Sequence, residues 1–264
     1  MFDKILYINL EHRTDRKDNV IKELDKINHL DKAVRIDAVN GRQLNLKTLS
    51  RDLITEQGIN DALNDKQKVY TYLTPGAIGC ALSHKKAYEY IINNDLNSAL
   101  IVEDDITIDK DFNKKLSIIY TKIPKDFDIL FIGYHNTSDK YLQRIHSFYS
   151  KPKKLYGLFG YIVTNKGAKK LLDIFPITEQ IDSDIPKHFD VINAYAVNPY
   201  KKIIFSDQSS VYTKFGTDIQ IRDANQNYFN DYFKYYFVKN ILIITIIILI
   251  IFITYQLYNI CKYY

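Results

Sequence analysis

Tryptophan is absent from this chain of 264 residues, and cysteine occurs only twice. Cys80 falls mid-chain and Cys261 at the far end of an apolar segment, which excludes a disulfide framework and fits a reducing compartment. The sequence has no dense Lys/Arg block, and its net charge of +5 is modest and spread out, so nucleic acid is not implied as a partner. There is no P-loop and no kinase-type glycine-rich loop, which argues against a phosphoryl-transfer enzyme. A Ser/His/Asp hydrolase is not supported either. Ser83 and His84 are adjacent, and on a helix neighbours point roughly 100° apart. No internal repeat is visible. The amino terminus, Met1-Phe2-Asp3-Lys4, moves straight into a strand-like run without the apolar stretch and cleavage site of a signal peptide.

What is present is a globular composition, 46% hydrophobic and 25% charged, and one long apolar segment. No charged residue occurs between Asn240 and Cys261, and residues 241–253 are almost purely aliphatic. As a helix this span would be about 33 Å long, enough to cross a hydrocarbon core of roughly 30 Å. Tyrosines flank it on both sides, as in the aromatic belts of spanning helices. The expectation is a single-pass carboxyl-terminal membrane anchor with the preceding domain on the cytosolic side. The expected organisation is a domain over 1–220, a connector over 221–239, the anchor over 240–261 and a short tail over 262–264.

Within the domain, the spacing predicts strands over 4–10, 33–39, 99–105, 127–133 and 156–164. It predicts helices over 15–28, 76–93, 109–120 and 166–174. Residues 44–74 are polar and poorly periodic and read as a surface excursion or flap. Strands alternating with helices argue an α/β domain with a mainly parallel sheet flanked by helices. Ligands of such sheets bind beyond the carboxyl ends of the strands, where Asn9-Leu10 and Glu103-Asp104-Asp105 fall. If the third strand ran through its acidic end, Glu103 and Asp105 would share a face and Asp104 would oppose them. Two converging carboxylates suit a hard divalent ion, Mn²⁺ or Mg²⁺, able to hold the phosphates of a nucleotide. An acidic turn capping the next helix is the plainer alternative.

Taken together, these segments resemble glycosyltransferase family 25. Tyr7-Ile8-Asn9-Leu10 with Arg13, Asp15 and Arg16 is similar to its opening motif. Gly76-Ala77-Ile78-Gly79-Cys80-Ala81-Leu82-Ser83-His84 is similar to its second signature, and Leu100-Ile101-Val102-Glu103-Asp104-Asp105 to its acidic motif. Tyr156-Gly157 through Gly160-Tyr161-Ile162-Val163, then Gly167-Ala168 onward, follows the later pattern, and Ile181-Asp182 fits a single-aspartate position.

The resemblance spans residues 4–220 and implies a GT-A-like fold. It implies transfer of a hexose, galactose or glucose, from a UDP-sugar to a hydroxyl of a glycan, lipid-linked glycan or protein. On that reading Glu103 and Asp105 hold the metal, with Asp105 the direct ligand, and Asp104 serves the ribose or a metal-bound water. Asn9, Leu10, Arg13 and Arg16 lie where the nucleotide should sit, and an arginine there can meet phosphate with two donors. An ordinary ion pair with Asp15 or Glu23 is the alternative for both arginines. Asp37 is a further candidate for uracil or ribose, and Ser83 and His84 for the donor. Asp182 matches the position of a base for the acceptor hydroxyl, with an Asx turn before Pro186 as the alternative. Asp184, His188 and Asp218 are candidates for support or a further ligand. A catalytically inactive, membrane-tethered module of the same fold is the main competing reading.

Overall fold

The computed structural model describes residues 1–64, 72–135, 139–206 and Thr245. The chain divides into two compact units, Met1–Gln220 and Ile221–Tyr264. In the second, only Thr245 is described; it is helical and exposed. The expected connector, anchor and tail otherwise lie outside the described residues. Among the described residues, no helix is long and apolar enough to cross a membrane.

The first unit is mixed α/β. Its elements begin with β1 (Lys4–Asn9), α1 (Thr14–Lys26), β2 (Ala33–Asp37), α2 (Glu56–Leu63), α3 (Pro75–Asn93), β3 (Ser98–Glu103) and β4 (Ile106–Ile108). There follow α4 (Phe112–Lys122), β5 (Ile129–Gly133), β6 (Leu142–Arg144), β7 (Tyr149–Pro152), β8 (Gly160–Thr164), α5 (Asn165–Leu172), α6 (Ile181–Asp184), β9 (Ala194–Val197) and β10 (Ile204–Ser206).

Eight strands form one sheet in the order β2-β1-β3-β8-β5-β9-β7-β6, and β10 pairs with β4 in a separate two-stranded ribbon. The β2, β1 and β3 strands are mutually parallel, as are β5 and β9. The β8 strand runs antiparallel between β3 and β5, and β7 opposes both β9 and β6. The sheet is therefore mixed, with six of eight strands sharing a direction. The sequence pattern could not reveal the reversal of β8, because a strand buried on both faces reads as a continuous apolar run in either direction. Both β3 and β5 are such runs, buried along nearly their whole length.

Helix α1 shows how the sequence moves a charge inward. Its buried residues are Arg16, Val20 and Leu24, spaced by four, so they form one stripe on the face that packs on the core. The guanidinium follows the apolar stripe inside. Helix α3 starts at Thr74, whose hydroxyl accepts from the Ala77 amide, with Pro75 in the first turn.

Two expectations need correction. The stretch 44–74 is not only a surface excursion. It contains α2, capped by Thr55 and burying Gly58, Ile59 and Ala62, while Ile54 bridges in parallel to Ile177; residues 65–71 lie outside the described set. The small residues on the inner face of α2 gave too weak an apolar period to be read. The predicted strand over 156–164 forms only from Gly160.

Candidate active site

A cleft of about 230 Å³ opens at the carboxyl ends of β1 and β3, the place ligands take in open α/β sheets. One side is the first turns of α3 with Gly76, Cys80, Ser83 and His84; the other is the 38–42 loop after β2. Leu10, Arg16, Glu103 and Asp104 also line it. Two glycines let these walls meet. A Cβ on Gly79 would lie 2.4 Å from the Val39 carbonyl oxygen and 2.5 Å from the Gly41 amide nitrogen. Both are backbone atoms, so the loop would have to shift. Gly79→Ala is expected to cost about 1–3 kcal/mol by urea unfolding, and to widen the mouth of the cleft.

The acidic motif does not continue the strand. The β3 strand ends at Glu103, and Asp104 and Asp105 sit in a bend before β4. The expectation that Glu103 and Asp105 share one strand face is thereby corrected. Asp104 and Asp105 are both buried against Arg16, whose Nη1 is 3.1 Å from Asp104 Oδ1 and 3.7 Å from Asp105 Oδ2. Asn9 donates from Nδ2 to Asp104 Oδ2 at 2.7 Å and to the Arg13 carbonyl at 3.0 Å. Burial raises the Asp104 pKa, while Arg16 and Asn9 pull it back down. Arg16 thus offsets part of the charge of Asp104 and Asp105.

Glu103 lines the same cleft, next to α3. Its carboxylate, Cys80 Sγ and a ring nitrogen of His84 all lie within 4.8 Å of one another. His84 is buried. Its Nδ1 is 2.6 Å from the Tyr161 hydroxyl, which is 3.0 Å from the Tyr88 hydroxyl. Its Nε2 has no hydrogen-bond partner and stands 3.6 Å from Glu103 Oε1. Burial, reinforced by the charges of Glu103, Asp182 and Asp105, pushes the Cys80 thiol well above its usual pKa.

Among the other sequence candidates, Leu10 lines the cleft as expected. Arg13 forms a two-pronged pair with Asp15, both contacts at 3.0 Å, the ordinary pair weighed for it from the sequence; this guanidinium holds the Asp15 carboxyl down at about 2. Asp37 is exposed and bridged to Arg35 at 3.0 Å. Ser83 lines the cleft but is engaged in the scaffold: its hydroxyl donates to the Gly79 carbonyl at 2.6 Å and accepts from the Val39 amide at 2.8 Å.

Asp182 lies in α6, where its Oδ2 accepts from the Gly157 amide at 3.0 Å. Burial raises its pKa; the Gly157 amide and His135 lower it, and Glu103 raises it. Asp184 is consumed structurally, accepting from the Thr178 and Glu179 amides and from Lys187. His188 ends the short turn after α6, and Asp218 lies outside the described residues.

Several residues were missed by sequence reasoning. His12 and Arg42 line the cleft. His135 sits beside Asp182, edge-on to Phe159 at 5.1 Å between centroids. Cys80 is the one with a legible signal, since its spacing of four from His84 places both on one face of α3.

Comparison with known proteins gives the following matches. The profile described as glycosyltransferase family 25 (LPS biosynthesis protein) matches residues 2–154, more than half of the chain. Procollagen galactosyltransferase 2 of Homo sapiens is 29% identical over 76% of this chain and 32% of its own length. Procollagen galactosyltransferase 1 of Danio rerio is 28% identical over 69% of this chain and 30% of its own. A Bos taurus relative named probable inactive glycosyltransferase 25 family member 3 is 26% identical over 72% of this chain and 32% of its own. The chain thus spans about a third of the length of these curated relatives. With the opening motif, the α3 signature and the acidic motif all meeting at one cleft, the chain belongs to glycosyltransferase family 25.

Proposed function

We propose that the protein transfers a hexose, galactose or glucose, from a UDP-sugar to a hydroxyl acceptor on a glycan, lipid-linked glycan or protein. The observation that carries this reading is the cleft itself, which joins three family motifs at the carboxyl ends of β1 and β3. A nucleoside diphosphate leaving group carries charge that must be offset as the glycosidic bond breaks. Arg42 lines the cleft and supplies positive charge toward it, while Arg16 is held by Asp104 and Asp105. Asp104, held by Asn9 and Arg16, accepts from a ribose hydroxyl. Asp182 takes the proton of the acceptor hydroxyl as that oxygen attacks the anomeric carbon. His135 lies beside it and lowers its pKa only when protonated, a form that burial of His135 disfavours.

The resemblance implies Mn²⁺ or Mg²⁺ on Glu103 and Asp105. That pair does not fit well here, because Arg16 already faces Asp105 and Glu103 is grouped with Cys80 and His84. The aliphatic span over 240–261 belongs to the same reading as an anchor that holds the domain near a bilayer on its cytosolic side. Carbonate-resistant membrane association of the full chain, lost on deleting 240–264, would support it.

The deciding experiment is a screen of UDP-glucose, UDP-galactose and their N-acetyl forms, read by UDP release and product mass. Release from a UDP-hexose is the expected result. Neither UDP binding nor release with any donor would leave the inactive, tethered module, the reading raised by the name of the bovine relative.

A further inference from the structure

The grouping of Cys80, His84 and Glu103 has a donor chemistry of its own. It offers one sulfur, one imidazole nitrogen and one carboxylate, a mixture that hard ions such as Mg²⁺ do not select. We propose that Cys80 Sγ, His84 Nε2 and the Glu103 carboxylate form a site for a thiophilic divalent cation, with Zn²⁺ the best chemical match, in the wall of the cleft.

Four observations support the site. The three ligand atoms already lie within 4.8 Å of one another. Bonds of about 2.0–2.3 Å in a tetrahedron place ligand atoms about 3.3–3.8 Å apart, and His84 Nε2 and Glu103 Oε1 are separated by 3.6 Å. His84 Nε2 is buried, lacks a hydrogen-bond partner and is directed at Glu103. Its other nitrogen is fixed by the Tyr161 hydroxyl at 2.6 Å, the kind of outer contact that sets the tautomer and ring plane of a metal-ligating histidine.

The scaffold is rigid. Cys80 and His84 project from adjacent turns of α3, and Glu103 ends a buried strand. Binding would release the thiol proton to solvent as the thiolate bonds to the ion. Three protein ligands leave one position open toward the cleft. On the UDP-sugar reading, a phosphate oxygen could take that position; the cation site itself does not depend on that reading.

The test uses the purified full chain carrying Cys261→Ser, stripped with chelator and titrated with Co²⁺. The expected result is thiolate-to-cobalt charge-transfer absorption saturating at one equivalent, displaced by Zn²⁺ and not by Mg²⁺. Cys80→Ala should abolish the band. Tyr161→Phe should retain it with affinity weakened about tenfold. No band, a band unchanged in Cys80→Ala, or displacement by Mg²⁺ would overturn the proposal.

Should Cys80→Ala fail to fold by circular dichroism, alkylation of Cys80 in the unsubstituted chain decides instead. Zn²⁺ should slow it at least tenfold relative to chelator, and equal rates would sink the site. UDP binding measured on both the stripped and the cobalt-loaded samples separates the two claims. UDP binding without a cobalt band removes the cation site alone; a cobalt band without UDP binding removes the donor reading alone.

Discussion

Arg16→Met is expected to destabilise the domain by about 3–5 kcal/mol, the range for breaking a buried ion pair from one side. Arg16, Asp104 and Asp105 are each less than 10% exposed, and the guanidinium faces both carboxylates, at 3.1 and 3.7 Å. Methionine preserves most of the side-chain volume, so packing loss contributes little and the charge dominates. The pH dependence identifies the cause. The folded-state pKa of Asp104 is raised by burial, with Arg16 opposing that rise. A carboxyl whose folded pKa exceeds its unfolded value binds its proton more tightly when folded. It therefore contributes stability at low pH that is lost as pH climbs through the raised pKa. Removing Arg16 raises that pKa further, so the deficit should be largest near neutrality and narrow in acid. Urea unfolding at acid and neutral pH measures it. Asp104→Asn combined with Arg16→Met should recover part of the loss. A pH-independent deficit would mean that Arg16 acts through packing.

Asp182→Asn is expected to lower kcat by about 10²–10⁴, the range for loss of a general base, with UDP affinity little changed. Asparagine can still accept from the Gly157 amide through its carbonyl oxygen, so the 3.0 Å contact that orients Asp182 survives and only the proton acceptor is removed. In the unsubstituted protein the acid limb of kcat/KM should lie above the ordinary carboxylate range, because burial raises the Asp182 pKa and the base must be ionised. Stability should move the opposite way from activity. The raised pKa makes wild-type folding less favourable as pH rises through it, a penalty the asparagine variant escapes. The variant's Tm should gain on wild type between acid and neutral pH. An unchanged kcat would remove Asp182 from the chemistry; an unchanged Tm difference across pH would remove burial as the cause of its shift.

The two carboxylates illustrate what can be read along a chain. Alternating apolar runs and helical spacing were enough for β1, β3, β5, α1 and α3, because each is set by local periodicity and by caps such as Thr74 and Pro75. The cleft's position followed from the same reading, since strand ends are where open sheets bind ligands. The roles of individual polar residues did not follow. Arg13 and Arg16 are three apart and look alike in sequence, yet one pairs with Asp15 near the surface and the other is drawn inward with Val20 and Leu24. Likewise Asp104 and Asp105 turn to Arg16 because β3 stops one residue before them.

What the sequence alone determined was the family, the α/β class and the segments that meet at the cleft, since these rest on local pattern and on ordered motifs. Only the tertiary structure decided the antiparallel insertion of β8, the burial of Arg16 between two aspartates and the meeting of Cys80, His84 and Glu103. Each depends on which distant segments pack together, and the partner that neutralises or ligates a polar group is chosen by that packing across separations such as the 88 residues between Arg16 and Asp104.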